Sequence, residues 1–254
     1  MRRLLVLLLL LATPLSARAE TLVAAISRAR VDITSNFTGA ELAVFGAVER
    51  DAATIARATG YDIVVTVRGP RGAVTVREKK LFGPFWLNAS SRKYIATPAY
   101  VAVLSNRPLD EIAVRELRDK LRVGVDTQVV AQADKRFRLD EEEPEFRSAL
   151  LRIRRAQGLF SELPDAVQLL TPSLFKATLH LPGTAPLGPY DVEVALFADG
   201  SQLARTALNF TVNKIGSEDT IAAFARRSPL LYGLAAVAIA MLVGWLASVI
   251  FRRD

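Results

Sequence analysis

Apolar and polar residues alternate with a period of two over several stretches of this chain, and that alternation predicts a mostly β body. Val31 and Ile33 alternate with Asp32 and Thr34, and after a polar stretch through Gly39 an apolar run fills Leu42–Val48. Both read as strands. Tyr61, Ile63, Val65 and Val67 alternate in part with Asp62, Thr66 and Arg68; Gly69-Pro70-Arg71-Gly72 follows as a turn, and Val74 and Val76 resume the pattern, predicting a hairpin-like pair. Leu81–Leu87 and Tyr100–Leu104 add two strands on either side of a polar loop, Asn88–Lys93. The cleanest alternation comes later, at Phe175, Ala177, Leu179 and Leu181, again at Tyr190, Val192, Val194 and Leu196, and, past an Asp199-Gly200 turn, at Leu208, Phe210 and Val212. Three antiparallel strands in succession are expected there.

A helical period interrupts this pattern from Pro108 onward. Leu109, Ile112, Val114, Leu117 and Leu121 fit one short helix that ends by Gly124. A second is expected to begin near Glu141-Glu142-Glu143, with Pro144 in its first turn and Phe146, Ala149, Leu150, Ile153 and Phe160 on one face, and to stop near Gly158. Arg147, Arg152, Arg154 and Arg155 fall opposite, as a solvated face or a dock for anionic lipid or an acidic partner.

The two ends carry apolar runs of a different kind. Met1-Arg2-Arg3, the run Leu4–Ala12, Pro14 and the small-residue pattern Ala17-Arg18-Ala19 have the three parts of a secretory signal peptide. That core is about 14 Å long as a helix, short of the roughly 30 Å hydrocarbon layer. Leu230–Phe251, uncharged throughout and closed by Arg252-Arg253, makes a helix of about 33 Å that spans the layer. The expected fold is therefore mainly β: an immunoglobulin-like sandwich ectodomain with one or two inserted helices, followed by a single C-terminal transmembrane helix. The Gly188-Pro189-Tyr190 lead-in is similar to the tyrosine corner of such sandwiches. The expected organisation is a signal peptide at 1–19, a strand-rich unit at 20–107, a helical insertion or connector at 108–165 and a C-terminal β meander at 166–214 that is free to pack with the first unit as one domain. A juxtamembrane linker at 215–229, the transmembrane helix at 230–251 and a tail at 252–254 complete it.

Charge changes the picture little. The net charge of +7 is concentrated at the ends; residues 20–228 hold 28 basic against 25 acidic side chains, which gives no footprint for nucleic acid. With no cysteine, disulfides, thiolate sites and a lipid-modified N-terminus are excluded. The lone histidine, His180, sits in a strand and is expected to face solvent. One histidine and no cysteine assemble neither a zinc site nor a serine triad, and no glycine-rich phosphate loop follows a strand, so no catalytic, cofactor or metal residue is assigned.

Two clusters remain as candidate contact sites. Ala236, Ala240, Gly244 and Ser248 recur every four residues and align as a ridge on which a second helix packs closely, unless they are the small residues common in membrane helices. Phe82, Phe85 and Trp86 form the one aromatic cluster, able to stack a sugar or grip a peptide, with a core or edge plug as the commoner role.

Several blocks in order, Phe37-Thr38-Gly39-Ala40-Glu41-Leu42 with Phe45-Gly46-Ala47, Val67-Arg68-Gly69-Pro70, Phe85-Trp86-Leu87-Asn88, Ala156-Gln157-Gly158-Leu159-Phe160 and Pro229-Leu230-Leu231-Tyr232-Gly233, resemble a family of uncharacterised alphaproteobacterial transmembrane proteins. The resemblance runs from leader to anchor and implies an exported ectodomain beside a transporter, with no activity to carry over. The reading that follows is a membrane-anchored interaction module of the bacterial inner membrane, ectodomain in the periplasm and tail in the cytoplasm. It would act as an accessory subunit of an envelope or transporter complex or self-associate through its helix. A ligand-binding ectodomain for a glycan or small solute is the alternative, and a hydrolase of unfamiliar type the third.

Overall fold

The computed structural model describes residues 20–34, 38–49, 60–129, 144–215 and 224–251. The leader at 1–19, the Glu141–Glu143 helix start and the tail at 252–254 lie outside the described residues.

Among the described residues twelve strands form three sheets. A four-stranded sheet has the order β1-β3-β10-β9, from β1 (Thr21–Ile26), β3 (Gly39–Glu49), β9 (Val167–Leu169) and β10 (Leu174–Pro182). A six-stranded sheet has the order β2-β12-β11-β4-β7-β8, from β2 (Arg30–Ile33), β4 (Asp62–Arg68), β7 (Val101–Ser105), β8 (Phe160–Leu163), β11 (Gly188–Ala198) and β12 (Ser201–Lys214). The pairs β2/β12 and β7/β8 are parallel, and the others in these two sheets antiparallel. The third sheet is the two-stranded ribbon of β5 (Arg71–Phe82) and β6 (Phe85–Pro98). Both large sheets mix strands from the first hundred residues with strands beyond residue 160, so one shared core joins the two strand-rich stretches.

Alternation puts Leu42, Val44, Phe175 and Leu179 of the first sheet and Val65, Val67, Val192 and Phe210 of the second into that core. Each fully buried side chain of this size contributes roughly 1.5–3 kcal/mol relative to exposure. β4 and β7 are buried on both faces, which is why their sequences read as near-continuous apolar runs. Their outer face is covered by the helical stretch: α1 (Leu109–Ile112), α2 (Arg115–Leu121) and a 3-10 turn at Asp126–Gln128. Arg68 reaches from β4 to Gln128 Oε1 (2.7 Å) and to the Arg122 carbonyl (3.4 Å), fastening that cover to the sheet. The single helix expected before Gly124 is thus two, broken at Ala113, whose backbone is extended.

α3 (Pro144–Ala156) carries Phe146, Leu150 and Leu151 into the core and packs against β5 and β8. Ile153, expected on its buried face, is half exposed, and Phe160 belongs to β8. Of the arginines opposite, Arg147 donates to the Asp126 carbonyl and Arg155 to the Asp126 carboxylate at 3.0 Å, so that face partly holds the neighbouring loop. The helix α4 (Pro229–Ile250) matches the expected span and is exposed along its length.

Four strand expectations need correction, the first being that the polar loop expected at Asn88–Lys93 is instead part of β6. β10 does not pair with β11: it lies in the other sheet, between β3 and β9, so the last third is not a three-stranded meander. An alternating strand satisfies either sheet facing one core, and alternation alone does not choose between them. Gly69–Gly72 is not a hairpin turn, because β4 pairs with β7 and β11 rather than with β5. Leu81–Leu87 is not one strand but the closed end of a hairpin, with Gly83 at φ 61° in the connection. A two-residue connection with positive φ at its first central position favours glycine there, because without a Cβ glycine adopts positive φ at no steric cost.

Candidate functional site

The ladder between β4 and β7 does not stop at the edge of the sheet. Gly69 N donates to the Tyr100 carbonyl at 2.8 Å, Ala99 N to the Pro70 carbonyl at 2.9 Å, and Arg71 then pairs with Pro98. One antiparallel ribbon therefore runs from Asp62 out to Gly83-Pro84 and back to Ser105, with its root in the six-stranded sheet and its outer part beyond it. Register shifts between Gly72 and Val74 and between Glu78 and Lys79 each leave one extra residue in the returning strand β6 and add local twist there.

The root is rigidly held. Tyr100 and Tyr190 meet at a ring separation of 5.7 Å, and Tyr190 stacks on Phe210 at 4.8 Å. The Tyr190 hydroxyl donates to the Pro186 carbonyl, four residues upstream, at 2.8 Å. Burial pushes both phenols well above their ordinary pKa, for Tyr190 with a smaller contribution from Tyr100. They pack and donate rather than exchange protons. Arg68 forms an ion pair with Glu193 at 2.8 Å beside its bond to Gln128. At the other end of β4, Asp62 accepts from Arg107 at 2.7 and 2.5 Å and from Asn106 at 3.0 Å. The bonds to Asp62, with the Asp62 charge, push the Arg107 pKa up. Both clusters tie loops to the sheet.

Val76 and Tyr94 are the last buried residues along the extension. Past them, Ser90 Oγ donates to Glu78 at 2.6 Å, with Lys80 at 3.5 Å, and the Ser90 bond first and the Lys80 charge second hold the Glu78 carboxyl below its usual range. At the tip Phe82 faces Phe85, Leu81 faces Trp86 and Lys80 faces Leu87. Period two puts Phe82, Phe85 and Leu87 on one face and Leu81 and Trp86 on the other. All five are exposed, from 54% for Leu87 to 78% for Phe82.

The structure thus brings the candidate aromatics Phe82, Phe85 and Trp86 together, but as an uncovered tip and not as a plug of the core. Leu81 and Leu87 belong to the same surface, which reading 81–87 as one strand hides; the signal is Gly83-Pro84 set between an apolar pair and an apolar triplet. Ala236, Ala240, Gly244 and Ser248 lie in a row along α4, apart from this tip, and a side chain added at Gly244 would meet nothing within 4 Å. His180 is exposed, 3.9 Å from the Glu41 carboxylate opposite it in β3. Among the described residues no group of three or more His, Asp or Glu side chains could hold a metal ion.

No curated protein matches the chain. The model of a family described as "Putative transmembrane protein (Alph_Pro_TM)" matches residues 21–253, nearly the whole sequence and both the ribbon and α4, and the chain therefore belongs to that transmembrane family.

Proposed function

We propose that this chain is a bitopic protein of the bacterial cytoplasmic membrane, with its β body in the periplasm and its C-terminal tail in the cytoplasm, that works by interaction as an accessory subunit of an envelope or transporter complex. The orientation follows from the leader, which directs export of everything between it and α4. An immunoglobulin-like reading of the body is supported by sheet order. β1-β3-β10-β9 runs as A-B-E-D, and β12-β11-β4-β7 as G-F-C-C′, of a variable-type domain, with the tyrosine corner at the start of β11. It departs from antibody domains in having no cysteine pair and no tryptophan on β4.

The observation that carries the interaction reading is the row of small side chains on α4: Ala236, Ala240, Gly244 and Ser248 recur every four residues and offer a partner helix close approach. No residue has a catalytic role in this reading. The test is affinity purification of the tagged full chain from its native membranes in mild detergent, beside the variant Ala240→Leu with Gly244→Leu. Retention of a transporter-like membrane protein by the first and its loss from the second are expected. Recovery of no partner, or only of further copies of the chain, would contradict the accessory role.

A further inference from the structure

We propose that the tip of the β5–β6 ribbon inserts into the interfacial layer of the membrane that holds α4, giving the protein a second, reversible membrane contact. The chemistry of the tip fits lipid better than a solute. Its end is convex and apolar on both faces, whereas sugar and small-molecule sites are concave and set polar groups around an apolar floor. Tryptophan and phenylalanine at the end of a projecting element are the side chains that settle at the headgroup level. Immediately behind them stand the exposed cations Lys79 and Lys80, at the depth where lipid phosphates would lie, with Arg77 and Lys93 further back along the ribbon. Residues 71–98 hold six basic side chains against one acidic, a far stronger bias than the body's near balance.

Topology places this tip on the correct side. β4 leaves the six-stranded sheet at Arg68, which pairs with Asp191, and β12 leaves it toward α4 past Val212, which pairs with Gly188. The ribbon and the connection to the membrane helix therefore depart from the same end of the sheet, and a Cβ at Gly188 would lie 3.3 Å from Pro70 at the ribbon's root. The lengths agree. The twelve residues of β5 extend about 40 Å, and the connection between Lys214 and Pro229 reaches at most about 50 Å.

The chain holds two tryptophans, so each contact can be read alone. In full-length protein reconstituted into vesicles of phosphatidylethanolamine and phosphatidylglycerol with brominated acyl chains, Trp245→Phe reports on Trp86 and Trp86→Phe on Trp245. Both tryptophans are expected to be quenched by bromine. Lys79→Glu with Lys80→Glu is expected to reduce quenching of Trp86 and leave that of Trp245 unchanged. A Trp86 that stays open to aqueous iodide and unquenched by bromine, beside a quenched Trp245, would overturn the proposal and leave the anchor standing. Protection of Trp86 only in native membranes, and not in pure lipid, would overturn it in favour of a protein partner. An unquenched Trp245 would remove the anchor itself and this proposal with it.

Discussion

Along one continuous ribbon the inner residues Ile63–Val67 and Val101–Ser105 are buried on both faces, whereas the outer residues Leu81–Leu87 are open on both. The two parts share an antiparallel ladder and β-forming side chains. What differs is cover: a facing sheet on one side and the α1–α2 stretch on the other enclose the inner part, while the outer part has α3 only near its root. A lone two-stranded hairpin is marginal in water. Apolar residues at its end thus work against an isolated ribbon and in favour of one that finishes in another phase.

Substitutions can sharpen this contrast, and the largest effect belongs to the inner part. Ile63→Ala leaves a void between the two covering layers and is expected to cost about 2–5 kcal/mol, read from the urea unfolding midpoint of the full chain in mild detergent. Asp62→Asn removes the carboxylate that accepts two bonds from Arg107. Because that arginine is 42% exposed, a loss of only about 1–2 kcal/mol is expected in the same measurement. Tyr190→Phe deletes the bond to Pro186 and keeps the ring stack, for about 0.5–1.5 kcal/mol. Phe82→Ser with Trp86→Ser should change stability by no more than about 0.5 kcal/mol, since both side chains are already exposed. A large loss from this last pair would break the comparison, because it would mean that the tip is part of the folded core.

The legible parts of the sequence were those where one face is wet and one dry. Tyr190–Leu196 and the Asp199-Gly200 turn read directly, because Asp191 is exposed, Glu193 half-buried and both turn residues have positive φ. The 22-residue apolar run that forms α4 was equally plain. Where cover is two-sided or absent, alternation lost its meaning. β1 is an exception: its burial alternates, but its exposed face also carries apolar residues, so Leu22–Ile26 is unbroken apolar sequence directly after the leader. Gly69-Pro70 read as a turn although the ribbon runs straight through it; there the small residue is required by packing, since a Cβ at Gly69 would fall 2.9 Å from Tyr100 Cβ and 3.1 Å from the Tyr190 ring. The aromatic cluster was visible as composition, but its exposure depended on pairing between β5 and β6, and the bulges that set that register leave no clear mark in the sequence.

The absence of cysteine makes the most direct test clean. A single cysteine at Pro84, at the end of the ribbon, and another at Ser201, at the opposite end of the six-stranded sheet, would each carry a nitroxide in full-length protein reconstituted into phosphatidylglycerol-containing vesicles. The account predicts that the label at 84 collides mainly with oxygen, which concentrates in lipid, while the label at 201 collides mainly with a water-soluble nickel chelate. Equal access of the chelate to both labels would contradict it.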